Sequence, residues 1–413
     1  MLEGTTVATM TADIPFLDLA DPAFSIRSAD VHEAREQSWY ARTPYGIAVL
    51  RYDEMKTLLM HPALRQGSHR WPDHHGATGV WAAWWKRIML NREGADHARL
   101  RRLATPAFAP NRVADLAPHF SALAHELIDT FEADRRCDFM AAFAEPYATR
   151  VICQLIGLRS AEATALTRIA MEMGLALGVT YAADERKIDA AAQELMAYAD
   201  ALIARRRADP KDDFIGALIA ANTDKQHLSD EELNDMIVLS IFGGIDTTRN
   251  QLGLAMQLFI DHPQSWQQLA DNPSLARAAV EEVMRNRPTA TWVTREATQT
   301  IVFHDLTIPE GTTIHLVSEA AATDPAHFSP GFDITAKRKP HFGFGGGKHF
   351  CIGSPIARSD MSQALACLAS RLADIEADGA GTWLPDSGNT GPISLPIRFA
   401  ARKRPIVDKD SPV

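Results

Sequence analysis

The chain has 413 residues, 46% hydrophobic and 23% charged, an ordinary balance for a water-soluble globular protein. A net charge of −10 argues against general nucleic-acid binding, so an anionic partner would need a local basic patch. Cys137, Cys153, Cys351 and Cys367 have no CxxC spacing, which fits a reducing cytoplasm, and no apolar run approaches the roughly 18 residues of a membrane-spanning helix.

Residues 1–13 are small and polar without periodicity and read as a frayed tail. Ser28–Trp39 reads as a helix, Gly46–Leu50 as a strand and Asp53–Met60 as a capped helix, so a small sheet is expected early in the chain. Gln66–Arg92 has no clean periodicity but carries Trp71, Trp81, Trp84 and Trp85, half of the eight tryptophans. A long aromatic loop either walls an apolar ligand or fills core beneath the surface. A helix from near Gly94 to Pro106 places His97 and Arg101 on one face, a pair that holds a carboxylate or is merely solvated.

Residues 112–222 read as successive amphipathic helices, among them Val113–Phe131, Ala161–Leu177 and Ile188–Arg207. Met171, Met173, Leu175 and Leu177 beside Gly174 and Gly178 make either a flexible lid or core. Ser229 and Glu232 have capping-box spacing, and the apolar pattern then runs to about Ile260, about 45 Å of helix. Gly243-Gly244-Ile245-Asp246-Thr247-Thr248 interrupts it. Two glycines there cost up to about 2 kcal/mol against alanine, repaid by close helix packing or by room beside a flat ligand. Beyond it, Asn272–Arg287 reads as a helix carrying Glu282 and Arg285, Thr294–Phe303 as a strand, and Ile308–Val317 as a strand with a Pro309-Glu310-Gly311 turn. Pro392–Pro396 reads as a turn, with Ile393 lining a pocket or packed in core.

Phe342–Gly353 is the most informative stretch, a cysteine among glycines just ahead of the helical pattern 354–373. Glycines let backbone N–H groups turn toward the sulfur, and with the helix N-terminus they favour thiolate. Phe344-Gly345-x-Gly347-x-His349-x-Cys351-x-Gly353 resembles the haem-thiolate signature of the cytochrome P450 family, in its bacterial form.

That resemblance covers about residues 15–403 and implies a mainly α fold with a small β region, a single haem-containing domain over 14–404, and tails at 1–13 and 405–413. It implies haem b with Cys351 as axial ligand, a thiolate that favours O–O cleavage. His97, Arg101, Arg295 and His349 would hold the propionates, with Gly244, Phe344 and Gly353 also against the haem. Asp246-Thr247 matches the family's acid–alcohol pair, which delivers protons away from bulk water, with Thr248 an alternative hydroxyl. Glu282 and Arg285 match a Glu-x-x-Arg that supports the cysteine loop. Its usual arginine partner is replaced by Ala336 after Phe332-Asp333-Ile334-Thr335, so Arg338 is expected in its place. Trp81, Trp84, Trp85, Gly243, Ala290, Trp292, Val293 and Ile393 would face substrate.

The activity implied is a soluble, cytoplasmic, monomeric monooxygenase without the membrane anchor of the family's microsomal members. It would hydroxylate or epoxidise an apolar natural product, such as a terpenoid, steroid or polyketide, with O2. Electrons would come from a separate ferredoxin and its reductase, docking on Arg101, Arg102, Arg112, Lys348 and Arg358. The rivals are a haem-thiolate binding or partner protein without turnover, and a peroxide-driven enzyme of the same fold.

Overall fold

In this computed structural model, residues 14–223 and 228–402 are described; the tails expected at 1–13 and 405–413 lie outside them. The longest helix among them starts where the capping box predicts. Ser229 Oγ accepts from the Glu232 N–H at 3.1 Å, and the Glu232 carboxylate accepts from the Ser229 N–H at 3.0 Å. It runs over Asp230–Asp261, 32 residues or about 48 Å, and is buried nearly all round.

Two hydrophobic clusters meet along this helix. Its second half, through Leu252, Met256 and Phe259, packs with the helices Pro110–Phe131, Glu145–Ile156 and Ser354–Arg371. Its first half, through Ile237, Ile241 and Ile245, packs with Val80–Arg87, Ala163–Gly174 and Tyr181–Ala208. Ile352, beside the cysteine, and Trp292 join the second of these clusters. The cysteine loop and the glycine-bearing part of the long helix therefore share one core.

The main sheet has the spatial order Tyr40–Thr43, Gly46–Val49, Thr313–Val317, Trp292–Ala297, Leu64–Gln66. Only the Gly46–Val49 to Thr313–Val317 pairing is parallel. It carries Arg295 into the interior, in register with Gln66 and Ile314. The architecture is mainly helical with a small β region, as expected.

Several expectations are corrected. The segment 66–92 is not a loop, because Trp71–His74 and Val80–Arg87 are helical, separated by Gly76 and Gly79. The helix expected over Asp53–Met60 spans Tyr52–Leu59, and its first N–H is capped from a distant segment, Asp324 accepting from the Tyr52 N–H at 3.1 Å. The strand expected over 294–303 ends at Ala297, where Thr298 donates its N–H to the Ala63 carbonyl and leaves the sheet. Ile301–Phe303 then pairs with Leu306–Ile308 in a separate hairpin. Pro392–Ser394 is a strand, followed by Pro396–Ala401.

Candidate functional site

Gly345 and Gly347 adopt φ of +67° and +68°, a region that costs other residues dearly. The turn they permit is closed by the Gly345 N–H donating to the Phe342 carbonyl at 2.7 Å and the Cys351 N–H donating to the Phe344 carbonyl at 3.0 Å. Cys351 is solvent-accessible, at the end of the glycine turn and close to the charges of Arg101 and Arg358. Burial pushes the thiol up; the N–H groups of Gly353 and Ser354 and the charges of Arg101 and Arg358 pull it down without prevailing. The loop's N–H groups thus favour thiolate as expected, and burial opposes them. A coordinated metal would remove the proton outright.

At the loop, cationic and imidazole groups converge from three segments. The rings of His97 and His349 lie 4.2 Å apart. Arg101 donates to the Phe350 carbonyl at 2.6 Å, and Arg295 donates to Gln66 Oε1 at 2.7 Å and to the Gly346 carbonyl at 3.3 Å. Sequence reasoning missed Glu93, although it lies four residues before His97: its carboxylate is 2.9 Å from His349 Nε2 and accepts from the Gln66 N–H at 2.7 Å. Burial, then the charges of His349 and Arg101, push His97 down to about 4; burial pushes Arg295 down to about 10 against the pull of Glu93. Among the described residues no carboxylate pairs directly with Arg295, and His349 Nδ1 is buried without a partner. A buried arginine with no carboxylate of its own, two imidazoles and Arg101, next to an accessible cysteine, fit a flat group that bears two carboxylates and a metal. Haem is such a group.

In the long helix the two glycines differ. A Cβ on Gly243 would meet nothing within 4 Å, whereas one on Gly244 would overlap Ile152. Gly244 is therefore a helix-packing position, and the open face belongs to Gly243, which corrects the expectation that Gly244 contacts haem. Thr247 Oγ1 donates to the Gly243 carbonyl at 2.7 Å, on that open face. Asp246 is buried on another face, held by Asn389 Nδ2 at 2.5 Å and more loosely by Asn250 Nδ2 at 3.4 Å. The expected acid–alcohol pair is thus adjacent in sequence without a mutual hydrogen bond. Burial pushes Asp246 up to about 6, against the charge of Arg249 and the hydrogen bond from Asn389.

Glu282 and Arg285, both buried, are joined by two 2.7 Å hydrogen bonds. Arg338 Nη2 reaches Glu282 Oε1 at 3.2 Å, and the Asp333 N–H donates to the same oxygen at 3.0 Å. Arg285 also donates to the Ala322 and Gly331 carbonyls, each at 2.8 Å, tying the segment ahead of the cysteine loop to its helix. Phe344 lies under the Arg358 guanidinium at 4.4 Å, and Arg358 is paired with Glu281 at 2.5 Å. Arg358 is therefore not a free cation for docking, whereas Arg102, Arg112 and Lys348 are exposed.

Of the expected substrate-facing residues, Ala290 is exposed between buried neighbours, and Trp292 and Val293 are half-buried. Val293 also reaches the loop, 3.7 Å from a Cβ built on Gly345. Trp81 and Trp84 are fully buried and Trp85 nearly so, packed with one another, Tyr181 and Phe242. They are core, and the aromatic wall expected of them is not there. Ile393 lines a cleft elsewhere, with Leu384, Asp246 and Arg249.

The family model described as Cytochrome P450 matches residues 176–373. Luteothin monooxygenase of Streptomyces thioluteus is 37% identical, covering 94% of this chain and 97% of its own. Mycinamicin IV hydroxylase/epoxidase of Micromonospora griseorubida is 32% identical, covering 93% and 97%. Cytochrome P450 CYP109Q5 from Chondromyces apiculatus superposes with a TM-score of 0.83 at 28% identity, over 95% of this chain and 100% of that one. With relatives this similar along nearly its whole length, and a loop, cation cluster and interrupted helix that fit a haem, the chain belongs to the cytochrome P450 family and is a haem-thiolate monooxygenase.

Proposed function

We propose that the protein inserts one oxygen atom from O2 into an apolar natural product, by hydroxylation or epoxidation, with haem b as cofactor and electrons from a separate ferredoxin and its reductase. The observation that carries this reading is the accessible Cys351 in its glycine turn, beside the cluster of His97, Arg101, Arg295 and His349. When bound, haem supplies the electron transfer and the oxygen activation. Cys351 would ligate the iron, with the N–H groups of Gly353 and Ser354 turned to its sulfur. His97, Arg101, Arg295 and His349 would hold the propionates, and Glu93, now on His349, would yield that contact. Thr247 would donate a hydrogen bond on the open side of Gly243, and Asp246 would carry protons to it. Ala290, Trp292 and Val293 would line the substrate side. Glu282, Arg285 and Arg338 would hold the loop in place.

A natural-product substrate is supported by relatives named for luteothin and mycinamicin IV. No helix among the described residues is long and apolar enough to cross a membrane. Arg102, Arg112 and Lys348 remain as the exposed cations that would receive an acidic ferredoxin. The test is turnover of a substrate found by its displacement of the Soret band, using isotopically labelled dioxygen. One labelled oxygen in the product with ferredoxin and reductase supports the reading; product only with added peroxide contradicts it.

A further inference from the structure

On the far side of Asp246 from Thr247 lies a half-open cleft of about 890 Å³. Its walls come from the helices Glu145–Ile156 and Ala163–Gly174 and from the C-terminal segment, through Pro146, Met171, Leu175, Leu384 and Ile393. Its mouth is charged: Glu126 pairs with Arg150, Arg168 pairs with Glu172, and Lys187 stands at the edge. Its floor is Asp246 and Arg249. Arg249 is buried and reaches Glu145 at 3.2 Å, Asn250 Oδ1 at 2.5 Å and the Pro392 carbonyl at 3.3 Å.

Three features hold the Asp246 carboxyl toward this cleft. Gly174 makes space, since a Cβ there would lie 2.7 Å from the carboxyl. Arg249 supplies a compensating charge. Asn389 supplies the short hydrogen bond, and is itself fixed, with its N–H donating to the Leu177 carbonyl at 3.1 Å and its Oδ1 3.0 Å from Thr289 Oγ1. Asn389 also bridges Ala290, the residue proposed to face substrate.

We propose that the cleft is the path by which solvent protons reach Asp246, and that Asn389 is the positioning residue that keeps the carboxyl turned to it. This rests on the monooxygenase reading above. In each delivery a proton leaves a hydronium ion or buffer acid in the cleft, converts the Asp246 carboxylate to carboxyl, and passes to the Thr247 side of the helix, restoring the carboxylate. No electron moves in this step. A titratable carboxyl near neutrality suits such a relay: burial raises it, Arg249 on its own helix and the Asn389 hydrogen bond hold it down, and Glu126, Glu145, Arg150, Arg168, Glu172 and Lys187 are the charged groups lining the cleft across from it.

The test compares Asn389→Leu, Asn389→Gln and Met171→Trp with the wild type as holoenzyme. Infrared difference spectra of the resting protein, referenced to Asp246→Asn, give the carboxyl titration; turnover gives peroxide released per O2, its pH profile and the solvent deuterium isotope effect. A hydrogen bond to a charged group corresponds to about tenfold or more. Asn389→Leu is expected to move the titration upward from about 6 and to cut product per O2 about tenfold, with Asn389→Gln recovering both. Met171→Trp, which narrows the cleft, is expected to leave the titration in place and enlarge the isotope effect at least twofold. If Asn389→Leu does not fold, Gly174→Ala displaces the same carboxyl from the opposite wall and is expected to lower product per O2 likewise. Unchanged titration and unchanged coupling in the Asn389 or Gly174 variant, or an unchanged isotope effect in Met171→Trp, overturns the proposal. A thiolate-type carbon monoxide spectrum in those variants leaves the monooxygenase reading standing; its absence from the wild type removes that reading instead.

Discussion

The paired glycines show how one residue's surroundings decide its role. Gly244 is pressed against Ile152 and Gly243 against nothing, so the same substitution has opposite consequences at neighbouring positions. Gly244→Ala is expected to lose about 1–3 kcal/mol from overpacking, while Gly243→Ala is expected to gain about 0.5–1 kcal/mol of helix stability. Urea midpoints of the two variants decide it; equal midpoints would contradict the assignment of faces. Thr247 stands on the open side with its hydroxyl engaged by the Gly243 carbonyl. Thr247→Ala is expected to keep substrate binding but lower product per O2 about tenfold or more, with peroxide released in its place. Unchanged coupling would take Thr247 out of the proton path.

At the scale of elements, the cysteine loop is held by two charge networks on one face of the helix Ala276–Asn286. Glu282 is buried, and removing the guanidinium that compensates it leaves a charge without its partner. Arg285→Leu is accordingly expected to cost about 3–5 kcal/mol and to weaken haem retention, whereas Arg338→Ala, at the more open edge, is expected to cost less. Chemical denaturation of both variants gives the order, and a reversed order would contradict it. The neighbouring Glu281 is raised by burial but pulled further down by His341 and Arg358, to about 2. Its folded pKa is depressed, so its contribution to stability is fully present above pH about 4.5 and is lost as pH falls toward 2. Glu281→Gln is expected to flatten the acid limb of stability against pH in that window; an acid limb as steep as the wild type's would contradict this.

Across the whole molecule, what could be read in advance was what is local in sequence. The capping box at Ser229 and Glu232 and the glycine-framed Cys351 are contiguous patterns, and both appear where their spacing places them. Contacts between distant segments were not legible. Asp324 caps the helix Tyr52–Leu59 from a distant segment, and Asn389 reaches Asp246 across 143 positions. Nothing near either partner announces these bonds. The tryptophans misled for a related reason: four in one stretch suggested a wall, but an eight-residue helix following Gly79 turned Trp81 and Trp84 wholly into the core. Arg338 sits two residues from the family's usual position yet still meets Glu282, because the chain between Gly331 and Arg338 folds back on that carboxylate. The account as a whole depends on iron bonded to the Cys351 sulfur. The most direct measurement is the absorption spectrum of the purified, haem-loaded protein, reduced under carbon monoxide, beside Cys351→Ala. The account predicts the red-shifted Soret band of a thiolate-ligated haem in the wild type and its loss in the variant; a stable band at the position of histidine-ligated haem in folded wild-type protein would contradict it.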